Sequence, residues 1–214
     1  MTMKVGLIDG PVGAGLAHAV LACSDPQAAQ VDEGGHGRQV AGALLEHCPS
    51  AGLLLAPVFD RTREADVGRV VDALHWLAAQ GAQLINLSFG MAAPSRRLAS
   101  ACAEVAAQGV VLVASAPARG APVYPAAFAD CIAVTGDARC APGEVSWLST
   151  AAADFGTHPL IRPGRPDLGG GASIATARMS GLLAALLAEG HAPHTLRARL
   201  QSMALHIGPE RRHA

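Results

Sequence analysis

Short uninterrupted apolar runs alternate along the chain with longer stretches whose apolar positions recur every three or four residues. Lys4 to Ile8 is the first run, stopped by Asp9-Gly10-Pro11, the way a buried parallel strand ends in a loop. His36 to His47 places Val40, Ala43, Leu44 and Cys48 at helical spacing, with Pro49 to stop the helix. The alternation continues with Leu53 to Val58 (strand), Asp66 to Gln80 (helix), Leu84 to Leu87 (strand), Pro94 to Gln108 (helix) and Val110 to Ala114 (strand). Gly81 and Gly109 follow the two long helices, at the position glycine prefers just past a helix end. Strands interleaved with helices of this length imply right-handed crossovers, and hence an α/β fold of three layers (αβα) around a mostly parallel sheet covered on both faces.

Beyond residue 130 the pattern changes. Cys131 to Thr135 and Glu144 to Leu148 read as strands, and Asp154 to Gly171, rich in Gly, Pro and Asp, as a surface loop. A helix is expected from Ser173 to Glu189 and an amphipathic one from Pro193 to about Leu205. Residues 1–205 are taken as one domain, and His206 to Ala214 as a frayed polar tail.

Composition narrows the function classes. The 214 residues are half apolar but only 3% aromatic, so the core is built from Ala, Val, Leu and Ile, and aromatic stacking on single-stranded nucleic acid is disfavoured. A net charge of −1 without a polybasic block argues against nucleic-acid or anionic-membrane partners. Arg178 interrupts the longest apolar stretch, leaving no membrane-length run. The stretch ending Val20-Leu21-Ala22-Cys23 has a faint lipoprotein-signal look, but Asp9, Gly10 and Pro11 do not belong in a signal core. Five cysteines with no Cys-x-x-Cys pair read as reduced, mostly buried thiols, and His47 beside Cys48 lacks further ligands at metal spacing. A cytoplasmic protein without cofactor or metal is expected.

In parallel α/β sheets chemistry sits beyond the carboxyl ends of strands. Asp9 follows the first strand, His36 opens a helix after Gly34-Gly35, and Ser173 opens another after Gly169-Gly170-Gly171-Ala172. An acid, a base and a hydroxyl at glycine-flanked element boundaries suggest nucleophilic acyl transfer, because a serine hydroxyl is a weak nucleophile at neutral pH until a base takes its proton. Spacing alone does not establish a triad, since any α/β protein offers such residues in loops.

The motifs go further. Ile8-Asp9-Gly10, His36-Gly37-Arg38-Gln39-Val40-Ala41-Gly42 and Gly171-Ala172-Ser173-Ile174-Ala175-Thr176-Ala177 resemble, in order, the Asp, His and Ser blocks of subtilisin-like serine proteases (peptidase S8). Ile85-Asn86-Leu87-Ser88-Phe89-Gly90 is similar to the strand lining that family's substrate cleft. Val110 to Ala116, and Tyr124-Pro125-Ala126 with Ile132-Ala133-Val134, are similar to the segments around its S1 pocket. The resemblance spans residues 4 to about 188. It implies a trimmed subtilisin-like catalytic domain with Asp9, His36 and Ser173 as triad, and Ser88, Phe89, Gly90, Ala116 and Arg61 as substrate contacts. Of these, Phe89 either narrows S1 or simply packs. Asp60 to Glu64 either selects flanking residues or blunts a sheet edge.

Departures from the family pattern concentrate at the oxyanion hole. The family's Asn falls at Ala118 in Ser115-Ala116-Pro117-Ala118-Arg119-Gly120, and the Thr before the nucleophile is Ala172. Three readings stay open: Arg119 supplies the donor beside the Ser173 backbone N–H, the enzyme is slow, or it binds peptides without cutting them as a scaffold. Arg38 and Gln39 replace a Thr and a His, and Ala177 replaces a Pro. Arg38 either favours acidic substrate or is a solvated helix residue. The spacing between triad blocks is short for the family, and no propeptide, export signal or calcium loop is evident. Those features suit an intracellular processing enzyme that acts on a peptide or protein substrate, such as a specific precursor whose leader it removes.

Overall fold

In a computed structural model, residues 2–25, 27, 35–59 and 66–210 are described. Nine strands form one sheet: β1 (Lys4–Asp9), β2 (Val20–Cys23), β3 (Gly52–Pro57), β4 (Leu84–Leu87), β5 (Val111–Ser115), β6 (Cys131–Gly136), β7 (Val145–Trp147), β8 (Phe155–Thr157) and β9 (His206–Ile207). Their order is β2-β3-β1-β4-β5-β6-β8-β7-β9, with only the β7–β8 pair antiparallel. Among the described residues five α-helices cover it: α1 (His36–Leu45), α2 (Val67–Ala79), α3 (Arg96–Ala107), α4 (Ala172–Ala188) and α5 (Leu196–Met203).

The three-layer α/β expectation is met, and alternation along the strands explains it. Val5, Leu7, Leu53, Leu55, Val111 and Val113 join one core with α1, α4 and α5, whereas Ile8, Leu54, Ile85, Leu112 and Ala114 join a second with α2 and α3. Because both faces are covered, strands such as β3 are buried at every position, and their sequences read as continuous apolar runs. α2 lies close enough to β1 that a Cβ on Gly6 would stand 2.9 Å from Leu77 Cδ1, so the glycine makes room for Leu77, whose burial contributes about 2 kcal/mol. Asp66 and Ser95 cap α2 and α3 by accepting from the N–H groups of Gly68 and Leu98. Gly81 and Gly109 end these helices in the left-handed region, at φ 81° and 87°. Among the described residues no helix is long and apolar enough to cross a membrane.

Val20–Cys23 forms the edge strand β2, paired with β3. Two expectations are corrected. The supposed loop from Asp154 contributes β8, buried between β6 and β7; a three-residue Phe-Gly-Thr strand is too short to show a period, and only its tertiary neighbours define it. The tail from His206 is not frayed at its start. His206 and Ile207 pair with Ser146 and Trp147 as β9, and Arg139 donates to the Gly208 carbonyl at 2.8 Å. All five thiols are free, and all but that of Cys23 are buried.

Candidate active site

β1 delivers Asp9 to the carboxyl edge of the sheet. Its carboxylate is almost fully buried (2% exposed), and Oδ1 accepts from the Gly10 N–H at 2.7 Å and faces His36 Nδ1 at 2.8 Å. A carboxylate only accepts, so Nδ1 carries the hydrogen of that bond, and the neutral ring keeps its lone pair on Nε2. Asp9 Oδ2 is buried without a partner among the described residues. The ring of His36 is partly open to solvent.

The approach of His36 depends on its neighbour. A Cβ on Gly37 would stand 2.2 Å from the Gly10 carbonyl oxygen and 2.6 Å from that of Pro11, so only glycine lets the first turn of α1 sit against the loop that follows β1. This close approach holds the imidazole over Asp9.

Ser173 reaches the same edge from α4. It is the second residue of that helix, where N–H groups have no intrahelical acceptor. Gly170 shapes the entry, because a Cβ there would lie 2.5 Å from the Pro159 carbonyl oxygen. Ser173 Oγ donates to the Ser88 carbonyl at 3.1 Å, and Ser88 Oγ donates back to the Ser173 carbonyl at 3.4 Å. Ser88 follows Leu87, which is in register with Ile8, the residue before Asp9. The Asp9–His36 pair and Ser173 are therefore held at the ends of the neighbouring strands β1 and β4.

The other candidates surround this point unevenly. Ser88 is buried, Phe89 half-buried and Gly90 exposed. Phe89 packs edge-on against Phe59, with ring centroids 5.6 Å apart, so it has an ordinary packing partner. Ala116 is buried in the core shared with α2 and α3, its N–H donating to the Val134 carbonyl at 2.8 Å. Ala118 and Arg119 are exposed in the turn after β5. Arg61 lies outside the described residues.

Two buried polar groups beside the site were not singled out beforehand: Asn86 in β4 and Ser180 in α4, both 0% exposed. Asn86 interrupts an otherwise apolar Leu-Ile-x-Leu strand, and a polar residue in a buried run is the signal that could have marked it. Ser180 shows no such signal among the small residues of its helix.

α4 is also locked to its surroundings. Arg178, fully buried, pairs with Glu46 just past the end of α1 and donates to the carbonyls of Leu160 and Ile161 at 2.9 and 3.2 Å. A Cβ on Gly181 would stand 2.3 Å from the Leu44 carbonyl oxygen, so α1 and α4 touch almost backbone to backbone. The helices that carry His36 and Ser173 thus form one packed unit.

Comparison with known proteins agrees with this layout. Subtilisin Savinase of Lederbergia lenta is 32% identical over 114 residues, which cover 48% of this chain and 42% of that protein; the chain thus spans under half of that relative's length. Thermitase of Thermoactinomyces vulgaris is 26% identical over 198 residues, covering 79% of this chain and 67% of that one. Among solved structures, a lanthipeptide protease superposes with a TM-score of 0.74 at 16% identity, covering 95% of this chain and 81% of that one. A cold-adapted subtilisin-like serine proteinase gives 0.72 at 20% identity, covering 93% and 81%. The likeness to both solved structures establishes the fold. The family model of the subtilases (peptidase S8) matches residues 21–212, and with most of its length so matched, the chain belongs to the subtilase family.

Proposed function

We propose that this chain is a serine endopeptidase that hydrolyses peptide bonds through an acyl-enzyme. The observation that carries the reading is the 2.8 Å contact between His36 Nδ1 and the buried Asp9 carboxylate, beside the strand end that holds Ser173. Asp9 keeps the hydrogen on Nδ1, leaving Nε2 to take the Ser173 Oγ proton as Oγ attacks the scissile carbonyl. The imidazolium so formed is stabilised by Asp9 and passes its proton to the leaving amine. Water then repeats the sequence on the ester and frees Ser173 Oγ.

Negative charge developing on the carbonyl oxygen is met by the Ser173 N–H at the start of α4 and by the guanidinium of Arg119, standing in for the Asn side chain that Ala118 replaces. The substrate is a peptide or protein. We place the enzyme in the cytoplasm, removing the leader of a specific precursor, as does the small subtilisin-like protease of quinohemoprotein amine dehydrogenase maturation. The extent of the match to a lanthipeptide protease supports that role. Ala118 at the oxyanion position favours one rival, a peptide-binding scaffold with impaired chemistry.

Intact-mass measurement after treatment with a fluorophosphonate separates the two. A single adduct that vanishes in Ser173→Ala is expected of the enzyme. No adduct, under conditions that label a control protease, would overturn the enzymatic reading.

A further inference from the structure

Beneath Ser173 runs a chain of hydrogen bonds made only of neutral side chains. Ser180 Oγ donates to Asn86 Oδ1 at 2.9 Å, Asn86 Nδ2 donates to Ser88 Oγ at 2.8 Å, and Ser88 Oγ donates to the Ser173 carbonyl at 3.4 Å. The chain closes on itself through the Ser173 hydroxyl, which donates to the Ser88 carbonyl. Ser180 lies two helical turns below Ser173 on the same face of α4. β4 is otherwise Leu, Ile and Leu, and a fourth apolar residue at 86 would pack without needing partners.

From these contacts we infer that Asn86 and Ser180 are positioning residues that set the place and orientation of Ser173 through Ser88, an inference that rests on the endopeptidase reading above. β4 ends at Leu87, so the sheet ladder no longer holds Ser88, and its side chain must anchor it. The direction of the chain, as the Asn86 amide is oriented, does so. The Ser180 hydroxyl hydrogen goes to Oδ1, which turns the amide so that Nδ2 faces Ser88. That N–H takes a lone pair of Ser88 Oγ and sends the Ser88 hydrogen to the Ser173 carbonyl. With Ser88 fixed, its own carbonyl receives the Ser173 hydroxyl. The reacting oxygen is thereby referenced to a buried point in the core rather than to a loop, and its single hydrogen turns from the Ser88 carbonyl to His36 Nε2 when the base acts.

The test is a double-mutant cycle on Ser180→Ala, Asn86→Leu and the pair, with Ser180→Thr as the conservative variant, all at a temperature where every variant is folded. The readouts are the second-order rate of phosphonylation of Ser173 by a fluorophosphonate, and kcat and KM on a peptide that the wild type cleaves. Each single change is expected to lower labelling and kcat on the order of tenfold with KM nearly constant. The double variant should be no worse than Asn86→Leu alone, because Ser180 acts only through the amide, and Ser180→Thr should keep most of the rate. Losses that multiply, a wild-type rate in Ser180→Ala, or equal losses in the Thr and Ala variants would overturn the relay while leaving the endopeptidase reading intact. An unlabelled wild type would overturn both. Should Asn86→Leu not fold, the Ala–Thr comparison at 180 decides alone.

Discussion

Arg178 and Glu46 join the two helices that carry the serine and the histidine of the site. The guanidinium is wholly buried while the carboxylate is half-exposed, and the two carbonyls of the 160–161 segment accept from its Nη2, leaving Nε without a partner among the described residues. Removing the carboxylate leaves a buried cation with neutral acceptors alone. Breaking a fully buried pair costs roughly 3–5 kcal/mol, and the exposure of Glu46 lowers this. Glu46→Gln is expected to destabilise by about 2 kcal/mol in denaturant titration. Arg178→Met, which keeps the apolar stem and removes the charge, should lose less than Arg178→Ala, which also leaves a cavity.

Gly37 offers a sharper test of how the imidazole is held. Gly37→Ala forces a Cβ onto two backbone carbonyls that have little room to yield, so α1 must draw back from the β1 loop. Destabilisation of about 1–3 kcal/mol is expected, with a fall in fluorophosphonate labelling of about 10²-fold as the Asp9–His36 contact opens. Gly42, on the same helix, has open space where a Cβ would go, and Gly42→Ala should stabilise by about 0.5–1 kcal/mol, read as a raised thermal midpoint, without changing the labelling rate.

In the proposed reaction Arg119 takes the place of the Asn that Ala118 replaces. If the guanidinium is the donor, Arg119→Ala lowers kcat by about 10²-fold with little change in KM. Ala118→Asn in that background should restore much of the loss by returning an amide donor. An unchanged rate in Arg119→Ala would reject the assignment.

Acid should destabilise the fold in two steps. Burial and the positive charge of Arg178 hold His47 below its usual 6.5. The unfolded imidazole takes its proton first, so the stability tied to neutral His47 is complete above pH 6.5 and declines as pH falls towards the lower folded value. Burial would raise Asp137, but its bonds to Arg139, the closest at 2.7 Å, prevail and hold it below 3.8. That contribution is present above pH 3.8 and disappears at lower pH. Thermal melts across pH should show both declines, and His47→Gln should abolish the first alone.

Legibility in the sequence followed burial. Strands covered on both faces, such as β3 and β5, announced themselves as apolar runs, and helices α2 and α3 through period, cap and terminal glycine. The site residues Asp9, His36 and Ser173 stood out by their glycine-rich boundaries and by family motif. β8 and β9 did not, because strands of three and two residues exist only through their pairing partners, which lie eight or more residues away along the chain for β8 and 60 away for β9. The support beneath Ser173 was equally hidden, since the link from Asn86 to Ser180 bridges 94 positions of sequence and no local pattern encodes it.

The serine hydroxyl and the carbonyl that receives it are separated by 85 residues. A ribosome-bound chain that has already built β1, α1 and β4 still has no α4 to bring to them, and its acid and imidazole meet with nothing to activate. Order of synthesis therefore brings the hydroxyl last, after the acid, the imidazole and the accepting carbonyl are already in the chain.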